Sequence, residues 1–334
     1  MCRGSGISRQ KGDEMNHAKT LLYSMVMLAV GVLHVAAQVP HTLYVTNRSA
    51  NSISVVDGAN FVVVASVPTG SNPHEILVDE SKGMAYVSNR GAKDTVSVID
   101  LRGRKELARI PAPSPPHGLA LSADAATLFA TGQQEINIID LATQQLMGSI
   151  PVGWLPHMLH RSPDKTRLYM GNMGDGTISV IDIAKRAVIT TIRVGRKPED
   201  LAVSPDGREI LVGNQDDDSV TIIDAATHAV TATVKLPERS APYRLRYSPD
   251  GKTIFIASAR IGAGVLRMDS TTRTITGHLP MDRVCGNMNF SPDQRVLYIT
   301  DTPGGTISQV DPETMKVIKT LPTGAGADCI EVVQ

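Results

Sequence analysis

Several things are missing from this chain, and each absence removes a class of function. There is no Gly-x-Ser-x-Gly elbow, no phosphate-cradling glycine loop with its lysine, and no Cys-x-x-Cys-His haem attachment. No His-Glu-x-x-His pair sets two imidazoles on one helix turn. Net charge is missing too: 33 Lys and Arg balance 33 Asp and Glu, which leaves no electrostatic footprint for duplex nucleic acid or an anionic membrane. Cysteine is scarce, at three residues, and Cys2 falls in an N-terminal stretch that does not read as part of the fold. Helical periodicity is absent, and the one apolar run, Leu21 to Val35, is short for a membrane span.

What is present is a repeat. Seven times a short apolar strand is followed by a loop and a second strand that ends in Asp. The first strands include Leu43-Tyr44-Val45-Thr46-Asn47, Leu168-Tyr169-Met170-Gly171-Asn172 and Leu297-Tyr298-Ile299-Thr300-Asp301. The closing acids are Asp57, Asp100, Asp140, Asp182, Asp224, Asp269 and Asp311, at spacings of 43, 40, 42, 42, 45 and 42 residues. A fixed period of this size means one supersecondary unit per repeat, buried only by stacking on its neighbours.

The unit from Pro198 to Arg239 is the most regular. Leu201 to Ser204 reads as a strand, Pro205-Asp206-Gly207 as a tight turn, and Ile210 to Gly213 as the second strand. Val220 to Asp224 and Ala229 to Lys235 supply two more, all short and rich in Val, Ile and Thr. The terminal Asp of the third strand is placed to accept backbone N–H bonds from the turn after it, a structural role that needs no chemistry. Seven units of four antiparallel strands predict an all-β fold, a seven-bladed β-propeller. The first and last units are incomplete. The strand Ile330 to Val333 is therefore expected to become the innermost strand of the blade that starts at Thr42, closing the ring and removing its free edges.

On these residues the chain resembles the YVTN-type β-propeller repeat proteins, in particular the secreted bacterial YncE-like branch. The resemblance rests on Ser204-Pro205-Asp206-Gly207, Tyr44 to Asn47 and Ser97-Val98-Ile99-Asp100, and it extends over roughly residues 41–334. It implies the fold and leaves the function open, because the matching positions are turns and core.

The N-terminus divides the chain. Lys19, the apolar run after it and Val35-Ala36-Ala37 read as a signal peptide over residues 15–37, cut after Ala37. Residues 1–14 read as a start-site extension, since the codons that specify Lys11 to Glu14 suit a translated ribosome-binding site and Met15 is the better start. A single propeller domain over 38–334 is then expected, periplasmic or secreted, monomeric and without a membrane span once the leader is removed. In an oxidising compartment the remaining pair, Cys285 and Cys329, is a disulfide candidate at the seam between the last blade and the first. Two free thiols are the alternative.

Chemistry is expected around the central channel. Aligning the innermost strands on their Ser-Pro-Asp turns gives one mouth position per blade: His74, His117, His157, Glu199, Tyr243, Gly286 and Asp328. Three consecutive imidazoles and a carboxylate form a candidate site for Zn or Cu. A metal-free ligand, or simple hydrogen bonding to neighbouring loops, would use the same residues. One strand face carries Arg244, Arg246, Asn289 and Glu331 and should line the channel. Trp154, the sole tryptophan, stands just before a mouth histidine and suits ligand stacking or a protein contact. The acidic run Asp216 to Asp218 reads as a solvated turn rather than a Ca²⁺ loop, since it lacks EF-hand spacing.

These residues fit an exported binding protein that holds a metal, a small ligand or a periplasmic protein at the channel mouth. The alternative is a propeller enzyme, a lactonase-like hydrolase or a subunit of a periplasmic oxidoreductase. No nucleophile–base pair is visible to favour it.

Overall fold

The computed structural model describes residues 39–302 and 304–334; the expected leader, the extension before it and the start at Gln38 lie outside them. Val39–Gln334 form one compact unit. Among the described residues twenty-eight strands, numbered β1 to β28 in chain order, make seven four-stranded antiparallel sheets, each one blade. Among the described residues no helix is long and apolar enough to cross a membrane.

The regular unit is folded as its residues imply: β16 (Pro198–Val203), β17 (Glu209–Asn214), β18 (Ser219–Asp224) and β19 (Val230–Lys235) lie in that order from the channel outwards. Its Ser-Pro-Asp turn is held from within. Ser204 Oγ donates to Asp206 Oδ1 (2.6 Å) and accepts from Glu209 N (2.9 Å). The acid that closes each third strand accepts backbone N–H bonds in all seven blades, for example Asn60 N to Asp57, Gly103 N to Asp100, Thr143 N to Asp140 and Lys185 N to Asp182. Asp224, Asp269 and Asp311 do the same. These bonds favour the ionised carboxyl, and the pKa values of Asp57, Asp140 and Asp224 are lowered for that reason.

The strand-ending asparagines are also structural. Asn47 Nδ2 donates to Ser54 Oγ (2.9 Å), and Asn214 Nδ2 donates to Thr221 Oγ1 (2.9 Å), each tying a second strand to the third. The acidic run likewise serves the backbone. Asp217 pairs with Arg196, and Asp218, at φ +45°, accepts from Arg239 N and Ala241 N.

The ring closes through the C-terminus. β28 (Ala327–Val333) pairs with β1 (Thr42–Asn47), setting Thr42 opposite Val333 and Val45 opposite Ile330. The seam is packed like any other blade interface: Leu43, Val45, Phe61 and Ile330 meet Val296, Tyr298 and Ile307. Outward from the channel the apolar side chains lose cover, and Val62, Val63 and Val64 on β3 (Val62–Pro68) are exposed.

One detail positions the site. At the mouth end of six inner strands the pairing with the next strand slips, as between Pro73 and Ile76, Pro156 and Leu159, Pro198 and Leu201. In the remaining blade, strand β8 (Leu119–Leu121) begins only after His117 and Gly118. A bulge breaks strict alternation and re-aims side chains. Residues next to each other, such as His74 and Glu75, thus both reach the channel.

Candidate functional site

The mouth positions are brought together as the repeat alignment requires. The rings of His74 and His117 lie 4.9 Å apart between centroids, and those of His117 and His157 lie 3.7 Å apart. A carboxylate stands at each end of this arc. Asp328 Oδ2 is 3.3 Å from His74 Nδ1, and Glu199 Oε1 is 3.4 Å from His157 Nε2, whose ring also bonds the Glu199 carbonyl through Nδ1 (3.2 Å). The arc therefore runs Asp328, His74, His117, His157, Glu199 over five consecutive blades.

All three imidazoles are held neutral near pH 7. Burial pushes the pKa of His117 well below 6.5, and the neighbouring His157 and His74 add to it. Burial does the same to His157, helped by Arg244 and Arg90. For His74 burial outweighs the pull of Asp328, and its pKa too is lowered.

Neutral imidazole is a metal ligand in principle, but here the rings pack on one another, tilted by 52° between His74 and His117 and by 36° between His117 and His157. Among the described residues no three His, Cys, Asp or Glu side chains are arranged to hold a metal ion. The expected Zn or Cu site at His74, His117, His157 and Glu199 thus has the residues without the geometry. The end rings are turned instead to carboxylates, His74 to Asp328 and His157 to Glu199.

Two arginines at the mouth were not among the expected residues. Arg48 Nε donates to Asn72 Oδ1 (3.2 Å) and stands 3.9 Å from Asp328 Oδ2. Arg90 is half-buried; its pKa is lowered first by that burial and then by Arg48, while Asp94, Glu199 and Tyr243 oppose the shift. Their signal in the sequence is the repeated pair Asn47-Arg48 and Asn89-Arg90, just past the second strands of the first two blades.

One residue deeper the channel is barred. Arg244, only 3% exposed, reaches from strand β20 (Pro242–Tyr247) to Glu75 on strand β4 (Pro73–Asp79), Nη2 to Oε1, 3.1 Å. Its Nε donates to the carbonyl of Gly286 (2.9 Å), and its guanidinium lies 4.3 Å from the Tyr243 ring centre. Burial opposes the charge on Arg244, but Tyr243, Glu75, Asp200 and Asp328 around it prevail and raise its pKa. The Tyr243 pKa is raised by burial. Asp200 accepts from Leu245 N (3.1 Å) and pairs with His160 (2.7 Å). Arg244 is in the channel as expected, yet committed to a crossbar. Arg246, Asn289 and Glu331 lie beyond that bar, on the far side from the mouth.

Cys285 and Cys329 are both free thiols, which corrects the disulfide expected between them. The two-residue offset sends the side chains apart. Cys285 packs with Phe255, Met288 and Phe290 between two blades. Cys329 Sγ donates to Glu75 Oε2 (3.0 Å) and accepts from Asn287 Nδ2 (3.2 Å). Burial raises the pKa of both thiols. Trp154 is 41% exposed and lies against Gly174 of a neighbouring loop, where a Cβ would have no room. Its backbone N donates to Asp175 (2.6 Å).

With this geometry in hand, comparisons with known proteins fit the fold. Residues 162–278 match the family model described as YNCE-like beta-propeller. A stretch of 104 residues is 32% identical to the protein printed as uncharacterized protein YncE in Salmonella typhi, and equally to that of Salmonella typhimurium. That stretch is 31% of this chain and spans 29% of each relative's length. Among solved structures, Kuenenia stuttgartiensis hydrazine synthase superposes with a TM-score of 0.72 at 21% identity, over 81% of this chain and 92% of that one. A functionally unknown protein of Desulfotomaculum acetoxidans gives 0.75 at 12% identity, over 88% and 99%. The dihydro-heme d1 dehydrogenase NirN, solved in complex with DHE, gives 0.67 at 15% identity, over 87% and 74%. Likenesses at these identities show the shared fold alone.

Proposed function

For a chain that is a β-propeller of YncE-like type, we propose a binding role: it holds a small polar ligand at the channel mouth and performs no covalent chemistry on it. The ligand lies among Asp328, the three imidazoles, Arg48 and Arg90. One observation carries this reading. His117 Nδ1 and Asp328 Oδ1 are buried without a hydrogen-bond partner among the described residues, and Asp328 Oδ2 has only its contacts with His74 Nδ1 (3.3 Å) and Arg48 Nε (3.9 Å). Unpaired buried polar atoms are costly, and several at one place call for a bound group. The ligand that answers them offers hydroxyl or amine donors to Asp328 and a polar atom to His117.

The enzyme reading has less behind it: the thiol–carboxylate contact beside the crossbar, Cys329 Sγ to Glu75 Oε2 (3.0 Å), is buried away from the mouth. Burial raises the pKa of Cys329 well above the ordinary thiol value, which keeps it protonated and unreactive. The protein acts outside the cytoplasm on this reading, which the leader over residues 15–37 supports; exported protein should begin at Gln38 by mass spectrometry.

The deciding experiment uses untagged protein. Mass spectrometry of denatured wild type should release a small organic molecule that Asp328→Asn and His117→Ala fail to retain, with no stoichiometric metal. A stoichiometric metal lost on His117→Ala would overturn the reading in favour of metal handling. Polar ligands that raise the melting temperature of wild type and Asp328→Asn equally would also overturn it.

A further inference from the structure

Beyond the crossbar the channel opens again into a cavity of about 250 Å³. Its walls are the far halves of the inner strands, which lead into the Ser-Pro-Asp turns, so it faces the end opposite the mouth. The two sides of this cavity differ. Leu77, Leu121 and Met158, from three consecutive blades, make an apolar wall. Arg246, Asn287 and Glu331, from the three blades across the channel, make a polar one.

Most of the charge around the cavity is already spent. Arg244 is paired with Glu75, and Asp200 with His160. What remains is Arg246 and Arg161 against Glu331. Arg161 uses Nη1 for the carbonyls of Leu121 (2.7 Å) and Ser122 (3.1 Å). Arg246 donates from Nε to the Met288 carbonyl (3.0 Å) and from Nη2 to Asn287 Oδ1 at the long distance of 3.5 Å. Among the described residues no carboxylate forms an ion pair with Arg246. Glu331 instead accepts from Asn289 Nδ2 (3.3 Å). Its pKa is pushed up to about 7 by burial, against the pull of Arg246, so its negative charge is incomplete at neutral pH. A half-buried guanidinium with no carboxylate within ion-pair distance, facing a wall of aliphatic carbon, is one half of a recognition site.

We propose that this cavity is a second ligand site, separate from the mouth, for a small carboxylic acid with a short apolar chain. The carboxylate takes the free edge of the Arg246 guanidinium, and the chain packs on Leu77, Leu121 and Met158. The volume is just under that of pockets for drug-sized molecules, which confines the ligand to a small acid. The site does not depend on what occupies the mouth.

Calorimetric titration of the full mature protein with butyrate tests this, with butyramide as the uncharged isostere at equal ionic strength. Butyrate should bind at least about tenfold more tightly than butyramide. Arg246→Met should weaken butyrate about tenfold or more, with Arg246→Lys retaining part of the affinity. Ala120→Leu, which fills the cavity from its apolar side while keeping Arg246, should abolish binding. If either variant loses its cooperative melt, the other decides. Absence of butyrate binding, equal affinity for butyramide, or binding that survives a folded Arg246→Met or Ala120→Leu would overturn the proposal.

Discussion

The two ends of the channel are made by the same seven strands, yet their chemistry runs in opposite directions. At the mouth, buried imidazoles are kept neutral, and buried acceptors go without donors. At the far end, a cation lacks its anion, and a carboxyl group is held half-protonated. The Arg244–Glu75 crossbar separates them, and it joins strands across the channel rather than neighbours around it. The comparison teaches that a repeat fixes where a side chain is presented without fixing what it does there. The seven equivalent positions hold His, Glu, Tyr, Gly and Asp, side chains of quite different chemistry at one height.

The comparison can be broken outright at the ring's latch. Removing residues 328–334 deletes Asp328 from the mouth, Cys329 from the crossbar's surroundings and Glu331 from the far cavity. It also leaves β1 without its inner partner. We expect loss of a single cooperative unfolding transition in urea; an unchanged transition would disprove closure through the C-terminus.

The crossbar is next in size. Glu75→Ala leaves the Arg244 guanidinium buried and unpaired and should cost about 3–5 kcal/mol in chemical denaturation. The double variant Glu75→Leu/Arg244→Met should recover most of that loss, since two apolar side chains carry no charge to desolvate. A double variant as unstable as Glu75→Ala would show that the pair does more than cancel its own burial.

The two ends should also respond oppositely to pH. His74, His117 and His157 have folded pKa values below 6.5, so between those values and 6.5 the unfolded chain binds more protons. The mouth therefore loses stability as pH falls below 6.5, by up to about 1.4 kcal/mol per histidine per pH unit. Glu331 has a folded pKa of about 7 against a reference of 4.5, so the folded chain binds the extra proton. Its contribution is complete below pH 4.5 and is lost as pH rises through 7, an effect of about 1–3 kcal/mol. Urea midpoints measured from pH 5 to 8 should thus rise more steeply with pH in Glu331→Gln and less steeply in His117→Asn. Parallel curves for wild type and both variants would remove the contrast.

Trp154 should matter least to stability. Trp154 is 41% exposed and makes its contact with a loop rather than the core, so Trp154→Ala is expected to shift stability by no more than about 1 kcal/mol. A loss above about 2 kcal/mol would show that the ring braces the mouth loops.

Much of this was legible in the residues. The seven turn acids, from Asp57 to Asp311, act on local backbone a few positions away, so a linear reading suffices for them. The arc of His74, His117 and His157 was legible as well, since equal register in successive blades means equal height. The crossbar was not: Arg244 and Glu75 are 169 residues apart, and only the circumference of the closed ring brings them within reach. Nor was the state of the cysteines, because the bulge after Cys285 breaks strand alternation, leaving Cys285 among apolar side chains while Cys329 faces Glu75. Whether the histidines converge on a metal was not legible either, because side-chain torsions decide it, and among the described residues no three ligating side chains are so arranged.

The sequence by itself determined the blade, the blade count and the order of side chains around the channel, because strand alternation, turn chemistry and period are local and act within about forty residues. The closed tertiary structure alone decided which groups are satisfied and which are left waiting. Pairing across the channel depends on the distance between opposite strands, and burial, which neutralises the histidines and raises Glu331, exists only once all seven blades surround them.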